Sequence, residues 1–232
     1  MESIGTLTKQ FLARAEQNIE EAQERRARES EDAVLPEQKF PYINEHAESS
    51  IQQQGVPKRL ASVIRSDKFI ATKAIKAVQK WVEQDQEAWC LVLSGGKGCG
   101  KSTAAAYWLY LMARERLKEP NQTPSKTRGW WSATRVSRLS SYSDKFETML
   151  TANMMVIDDL GVEYVDKNGH FAHRLDELID ERYSNYRRTL ITTNLNAPEF
   201  KTRYGERVAD RLREGFSHGG MFFEISDKSL RG

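Results

Sequence analysis

The feature that most constrains this chain is a glycine-rich turn that follows a short apolar run. Residues 95–102 read G-G-K-G-C-G-K-S and match the pattern G-x-x-x-x-G-K-S, and residues 90–93 (C-L-V-L) precede them. A buried strand, such a turn and a helix form a P-loop, whose backbone N–H groups point at phosphate oxygens. Residues 103–116 have the composition of that helix. The sequence therefore predicts a binding site for a nucleoside triphosphate.

The residue types within the turn suit this chemistry. Glycines let the backbone turn tightly, Lys101 adds a positive charge over the β and γ phosphates, and the Ser102 hydroxyl can bind Mg²⁺. Position 99 contributes its backbone N–H, so a cysteine there is compatible with binding. The residues expected to contact the nucleotide are Gly95, Gly96, Lys97, Gly98, Cys99, Gly100, Lys101, Ser102 and Thr103.

A second nucleotide signature lies downstream, where the apolar residues 154–157 are followed by two aspartates. An isolated Asp-Asp pair is more often a turn or a helix cap, but a strand that follows a P-loop delivers its carboxylates to the same sheet edge. We expect Asp158 to hold Mg²⁺ together with Ser102, and Asp159 to polarise the attacking water. Glu163 is a minor alternative to Asp159.

Three further candidates, Asn194, Arg207 and Arg211, lie beyond the start of the next predicted strand, at residues 189–193. Asn194 ends that strand, where it can sense the γ phosphate, although Asn is also a common turn residue. Arg207 and Arg211 are four residues apart on one predicted helical face, so either could act on a neighbouring subunit's site as an arginine finger. The alternative for both arginines is ion pairing with Glu206, Asp210 or Glu214.

Bulk properties narrow the class of protein. The 232 residues allow one domain of ordinary size with an appendage, and no apolar run approaches the roughly 20 residues that cross a bilayer. We therefore expect a soluble, cytoplasmic protein with no membrane partner. Its two cysteines, Cys90 and Cys99, are too few for a disulfide framework or a zinc site.

The chain divides into an N-terminal region, residues 1–56, and a domain, residues 57–232. The first region carries 6 Lys/Arg and 11 Asp/Glu, and the remaining residues carry 29 Lys/Arg and 22 Asp/Glu. Within the N-terminal part of the chain, an amphipathic helix is predicted at 7–33 and a linker at 34–58. The basic charge of the second region is compatible with binding of a polyanion. The basic and aromatic side chains of Arg135, Arg138, Tyr142 and Lys145 could contact a nucleic-acid strand, or they could equally form a solvated helix face.

Helices are predicted at 68–83, 103–116, 136–150, 171–186 and 204–214. Strands are predicted at 90–93, from 130, and at 154–157, 189–193 and 221–225.

Apolar strands that alternate with amphipathic helices predict an α/β fold with a parallel sheet covered on both faces. With these motifs the chain resembles the AAA+ ATPases of the helicase-loader group, the DnaC and DnaI type, to which the transposition ATPase IstB is related. The matching stretches cover residues 55–231 and read G-V-P-K-R (55–59), the P-loop, I-D-D-L-G (157–161), D-E-R-Y (180–183), I-T-T-N-L (191–195) and G-E-R-V-A-D-R-L (205–212).

The resemblance implies a P-loop AAA+ domain that follows a helical N-terminal extension and uses ATP and Mg²⁺. It makes Lys101 and Ser102 the Walker A residues, Asp158 and Asp159 the Walker B pair, and Asn194 sensor 1. Arg211 becomes the first choice for the arginine finger and Arg207 the second. Arg231 lies where the family often has a similar arginine.

The function that the resemblance implies is an ATP-dependent helicase loader. Its N-terminal region would bind a replicative hexameric helicase, and its AAA+ domains would form a homo-oligomer in the ATP state and deliver the helicase to single-stranded DNA during replication initiation or restart. Two alternatives remain open. One is an IstB-like ATPase that assists DNA transposition, and the other is a nucleotide-gated DNA-binding scaffold with little hydrolysis.

Overall fold

A computed structural model describes residues 41–66, 69–83, 88–118, 128–163, 169–214 and 221–226. All of them belong to one compact unit, Phe40–Gly232. The helix predicted at residues 7–33, and Arg231, lie outside the described residues. Within the described part of the chain, no helix is both long enough and apolar enough to cross a membrane.

Five parallel strands form a sheet, and they are β1 (Cys90–Gly95), β2 (Arg128–Ser132), β3 (Met154–Leu160), β4 (Arg188–Thr193) and β5 (Met221–Ile225). Their order in the sheet is β2-β3-β4-β1-β5. Continuous apolar runs form its central strands, as expected for a parallel sheet buried on both faces. The predicted α/β fold with flanking helices is confirmed.

The helices of the described residues are α1 (Pro41–Gln53), α2 (Lys58–Ile64), α3 (Lys73–Glu83), α4 (Lys101–Lys118), α5 (Ala133–Val136), α6 (Asp144–Thr151), α7 (His170–Ser184), α8 (Ala197–Tyr204) and α9 (Glu206–Glu214). Helices α1, α2 and α3 pack against α4, and α7, α8 and α9 pack against one another. Helix α5 contacts β2 and β3, and α6 contacts α7.

The pleat of the strands divides the core between the two faces of the sheet. Cys90, Val92 and Ile157 form one cluster with apolar residues of α7, α8 and α9. Leu91 and Leu93 alternate with them in β1 and are equally buried, so they point to the opposite face, and α4 contacts β1, β3 and β4. The sheet is therefore covered on both sides, and its carboxyl edge remains for the site.

The prediction of a linker at residues 34–58 is wrong for most of the described residues in that range. Residues Pro41–Gln53 form α1, which packs against α4 and buries Ala47 and Ile51 completely. The loop after it is tied to the sheet, because the Trp130 backbone N–H donates to the Gln54 carbonyl at 2.9 Å. The apolar positions of this segment are too sparse to predict a helix, and they are buried only because α4 supplies a partner surface.

Two predicted helices begin or break differently in the structure. The helix predicted at 68–83 begins at Lys73, because the Thr72 hydroxyl caps it by accepting from the Ile75 N–H at 3.2 Å. The helix predicted at 136–150 is divided into α5 and α6. Ser143 caps α6 by accepting from the Phe146 N–H, and serines favour such caps over helix interiors.

The helix predicted at 204–214 is α9, and α8 before it was missed. Asn196 and Glu199 form a reciprocal capping box with Pro198 in the first turn, a signal that is visible in the sequence N-A-P-E. Gly205, with φ 92°, separates α8 from α9. Left-handed backbone of this kind ends helices, because glycine adopts it without a steric penalty.

Candidate nucleotide site

Three adjacent strands end at one edge of the sheet and bring the sequence-predicted residues together. Gly95 ends β1, Asp158 and Asp159 lie near the end of β3, and Asn194 follows β4. A cavity of about 430 Å³ opens there, and residues 97–103, Asp159 and Asn194 are part of its wall. This is the crevice at the carboxyl ends of parallel strands where α/β proteins bind ligands.

The glycine-rich turn adopts a backbone that its sequence requires. Gly98 has φ 83° and Gly100 has φ 90°, which are left-handed values, and α4 begins directly afterwards at Lys101. Backbone N–H groups in such a turn, together with the start of a helix, attract anions. A phosphate chain fits this cradle, which forms part of the wall of the cavity.

The Lys101 ammonium is held by three oxygen atoms. It donates to the carbonyls of Gly95 and Gly96 at 2.7 Å each, and to Oδ1 of Asn194 at 3.0 Å. Cys99 lies beside it, with Sγ 3.6 Å from Nζ and the thiol donating to the Gly96 carbonyl. The side chains of the predicted Walker A lysine and the predicted sensor 1 are therefore in direct contact.

Asp158 and Ser102, the two predicted magnesium ligands, lie side by side. The Asp158 carboxylate accepts hydrogen bonds from the Thr192 hydroxyl at 2.7 Å and from the Ser102 hydroxyl. Burial raises the pKa of Asp158 and Asp159 adds to this rise, while the hydrogen bonds from Thr192 and Ser102 and the charge of Lys101 oppose it. A hard cation prefers such oxygen donors, so a Mg²⁺ ion that also binds phosphate oxygens fits here.

Asp159 has an unusual backbone. Its φ is 58°, a left-handed value that only Asn, Asp and Gly adopt readily, and its N–H donates to the Thr192 hydroxyl at 2.9 Å. The residue is half-buried and borders the cavity. A carboxylate there can accept a hydrogen bond from water inside the cavity.

Glu163, the alternative to Asp159, is occupied elsewhere. Its carboxylate accepts from the guanidinium of Arg203 at 2.9 Å, from the hydroxyl of Tyr204 at 2.6 Å and from the N–H of Gly161 at 2.7 Å. It is buried and is not part of the cavity wall. The structure therefore places Glu163 as a tie between the segment after β3 and α8, and the alternative is wrong.

Arg207 and Arg211 lie on α9, away from the residues that line the cavity. Both form ion pairs with Asp176 and Asp180 of α7, two carboxylates that the sequence analysis did not suggest as partners. The Arg211 side chain is 17% exposed and that of Arg207 61%. Within its own chain the arginine pair joins α9 to α7.

One wall of the cavity was missed by the sequence analysis. It is mainly apolar and comes from α2 and from the segment that leads into α3. Three residues apart on one helix, Leu60 and Val63 give the signal that could have revealed it. The residues of this wall are Arg59, Leu60, Val63, Phe69, Ile70, Thr72 and Ile75.

Comparison with known proteins supports the resemblance. No protein-family model matches the chain. The replicative helicase loader DnaC of Buchnera aphidicola subsp. Acyrthosiphon pisum is 26% identical over 150 residues, 62% of this chain and 59% of that protein. The uncharacterized protein YdaV of Escherichia coli is 30% identical over 79 residues, 34% of this chain and 30% of that protein. The chain thus spans about 59% of the length of the DnaC relatives that it matches.

Solved structures share the fold. A DnaC helicase loader aligns with a TM-score of 0.55 and 20% identity over 73% of this chain and 100% of that one. DnaI aligns with a TM-score of 0.55 and 16% identity over 78% and 100%. The initiator DnaA, bound to AMPPCP and single-stranded DNA, aligns with a TM-score of 0.53 and 13% identity over 70% and 49%. The resemblance predicted from the motifs is confirmed: this chain is similar in sequence to DnaC replicative helicase loaders, and it shares the fold of the solved DnaC and DnaI structures.

Proposed function

We propose that this chain is a Mg²⁺-dependent ATPase that acts as a helicase loader. The observation that carries the proposal is the convergence of Lys101, Ser102, Asp158, Asp159 and Asn194 at one edge of the sheet, beside a cavity with a phosphate cradle and an apolar wall. The apolar wall suits a nucleobase, and the cradle suits the phosphates.

Each polar residue has a role in this proposal. Lys101 exchanges the carbonyls of Gly95 and Gly96 for phosphate oxygens, and Asn194 keeps its ammonium oriented. When bound, the metal ion neutralises phosphate charge, and Ser102 and Asp158 would hold it. Asp159 orients the attacking water and accepts its proton.

Turnover by the Asp159→Asn variant tests the enzymatic part. Asparagine tolerates the left-handed backbone of this position, so the variant should fold and bind ATP but hydrolyse it at least tenfold more slowly. Glu177→Gln, at an exposed carboxylate of α7, is the control and should keep full turnover. Equally negligible turnover by the wild type and Asp159→Asn, with DNA and helicase present, would favour the scaffold alternative.

The loader part rests on the similarity to DnaC, and we assign partner binding to residues 1–40. Co-purification with a replicative hexameric helicase tests it. A truncation should stop at residue 39, because removing residues up to 50 would delete most of α1 and expose the surface of α4. A full-chain variant, Phe11→Asp, changes the apolar stripe predicted in that region and leaves the described domain intact.

Loss of helicase binding by both variants, with ATP binding retained, is the expected result. Wild-type protein that does not bind the helicase but binds duplex DNA tightly would instead favour the transposition alternative. If both variants bind the helicase as the wild type does, partner recognition by residues 1–40 is excluded.

We place the single-stranded DNA contact on the segment between β2 and β3. Arg135, Arg138, Tyr142 and Lys145 are all exposed there, and the Tyr142 side chain is the most open, with 97% exposure. Acidic residues share the segment, so stacking of a base on Tyr142 is the sharper expectation. Tyr142→Ala should weaken DNA binding about tenfold, and Tyr142→Phe should not. Tyr186→Ala, at another exposed tyrosine, is the control.

We further propose that ATP-bound subunits assemble so that Arg211, or Arg207, completes a neighbour's site. Mixing Arg211→Ala with Lys101→Ala protein should restore turnover, because the two defects lie on opposite sides of an interface. The same mixture with Arg207→Ala identifies which arginine acts. Since both arginines also tie α9 to α7, the thermal stability of each variant must be measured in parallel. No restoration at any ratio would exclude a trans-acting finger.

A further inference from the structure

A threonine of the stretch I-T-T-N-L (191–195) lies between the two aspartates of the site. Thr192 is completely buried in β4, and its single hydroxyl contacts both of them. It donates to Oδ1 of Asp158 at 2.7 Å and accepts from the backbone N–H of Asp159 at 2.9 Å. A hydroxyl can do both at once because it carries one donor and two acceptor lone pairs.

The strand pairing explains why this hydroxyl is needed. Ile157 pairs with Ile191, but the next pair is Leu160 with Thr193, so two residues of β3 oppose Thr192 alone. Such a β-bulge interrupts the ladder and leaves a backbone group without its strand partner. Here the orphaned group is the Asp159 N–H, and the Thr192 hydroxyl takes the place of a backbone carbonyl.

The bulge also decides where the carboxylates are presented. In a regular strand, adjacent side chains point to opposite faces, so Asp158 and Asp159 could not serve one site. With φ 58° at Asp159, the chain turns so that Asp158 reaches Ser102 while Asp159 borders the cavity. Thr193 supports the same turn from the neighbouring position, where its hydroxyl donates to the Leu160 carbonyl at 2.6 Å.

We propose that Thr192 is a positioning residue, which holds the bulge and thereby aims both aspartates at the nucleotide and its metal ion. This inference rests on the proposed ATPase function. Threonine suits the position better than serine, because its β-branched side chain has few rotamers in a strand and its methyl group fills buried space. Valine keeps that shape and removes only the hydroxyl.

Thr192→Val, Thr192→Ser and the control Thr189→Val form the test. Thr189 is also buried in β4, and its hydroxyl contacts Arg182 and the Arg187 carbonyl at the opposite end of the strand. Thr189→Val therefore removes a buried hydroxyl, with its cost in stability, without touching the site. All variants are used as full-length protein.

The first readout needs no catalysis. Hydrogen exchange of the Asp159 amide should become at least tenfold faster in Thr192→Val, remain close to wild type in Thr192→Ser, and be unchanged relative to neighbouring β4 amides in Thr189→Val. The second readout is the Mg²⁺ concentration needed for half-maximal binding of a non-hydrolysable ATP analogue. It should rise at least threefold in Thr192→Val alone.

The third readout is turnover. In Thr192→Val, kcat should fall at least tenfold while KM for ATP changes less than threefold. In Thr192→Ser, kcat should recover most of the wild-type value. Unchanged Asp159 exchange and unchanged Mg²⁺ dependence in Thr192→Val would overturn the proposal. Equal losses in Thr192→Val and Thr189→Val would do the same, because they would report general destabilisation. Absence of wild-type turnover would count against the ATPase function, while the first two readouts would still decide the role of Thr192.

Discussion

The ammonium of Lys101 donates a hydrogen bond to the side-chain oxygen of Asn194 at 3.0 Å, which joins the P-loop to the end of β4. The sequence separates the two residues by 93 positions. A change at Asn194 should therefore alter the orientation of the lysine that we expect over the β and γ phosphates.

Asn194→Ala should leave Lys101 held by its two carbonyl partners alone. We expect kcat for ATP to fall about tenfold to hundredfold, as for other single polar groups that orient charge in a site, with ATP affinity changed less than threefold. Steady-state kinetics and nucleotide titration measure this. Asn196→Ala is the matched control, because it removes a helix cap and should lower stability by about 1 kcal/mol without changing kcat.

Gly95 and Gly96 should differ sharply in their tolerance of alanine. A Cβ atom on Gly95 would lie 2.4 Å from the Ile225 carbonyl oxygen, at a φ of 143°. Gly95→Ala should therefore lower the free energy of unfolding by about 1–3 kcal/mol, measured by denaturant titration. No atom lies within 4 Å of a Cβ atom built on Gly96, so Gly96→Ala should change the free energy of unfolding by less than about 0.5 kcal/mol. Equal effects would contradict the close approach of β5.

Asp158→Asn should stabilise the protein in the absence of nucleotide. Burial raises the pKa of Asp158, so the folded state binds its proton more tightly than the unfolded state, and stability falls as pH rises between the two pKa values. The carboxylate's cost is fully present above the folded pKa and vanishes below the unfolded pKa of about 3.9. The gain from Asp158→Asn should therefore appear at pH 7 and disappear near pH 3.

Thermal melts across this pH range, with the wild type in parallel, measure the effect. The same variant should lose the Mg²⁺ dependence of nucleotide binding, since it removes a ligand charge. A variant less stable than the wild type at pH 7 would show that the hydrogen bonds from Thr192 and Ser102 outweigh the burial of the charge.

Glu163→Gln should reduce stability more than activity. The substitution removes the charge that pairs with Arg203 and leaves that guanidinium, which is about a quarter exposed, without its partner. We expect the free energy of unfolding to fall by about 1–3 kcal/mol, with kcat within threefold of the wild type. Asp159→Asn should show the reverse pattern. A large loss of kcat at unchanged stability in Glu163→Gln would restore Glu163 as a catalytic candidate.

Local patterns were sufficient for much of this protein. A strand, a P-loop, a strand ending in Asp158-Asp159 and a strand ending before Asn194 each carry a signal within a few residues, and parallel strands present their carboxyl ends at one edge. The same apolar runs predicted the three central strands and their burial within the sheet. The α/β class could thus be predicted without knowledge of any long-range contact.

Contacts between distant segments lie beyond such patterns. The segment that forms α1 has too few apolar residues for a helix to be predicted there, and these residues are buried because α4 packs against them. Arg211 pairs with Asp176 and Asp180, which lie on a different helix, because α9 packs against α7. Glu163 was a plausible base by position alone, and the approach of Arg203 and Tyr204 removed it.

The sequence by itself determined that this chain has a glycine-rich turn of the P-loop type and two strand-end carboxylates, because backbone geometry and residue type act locally there. The tertiary structure alone decided how those groups meet. A bulge opposite Thr192 turns two successive aspartates toward one site, and Lys101 reaches Asn194 across adjacent strands. These side-chain contacts are made by packing between segments that are far apart in the chain, and so no local pattern encodes them.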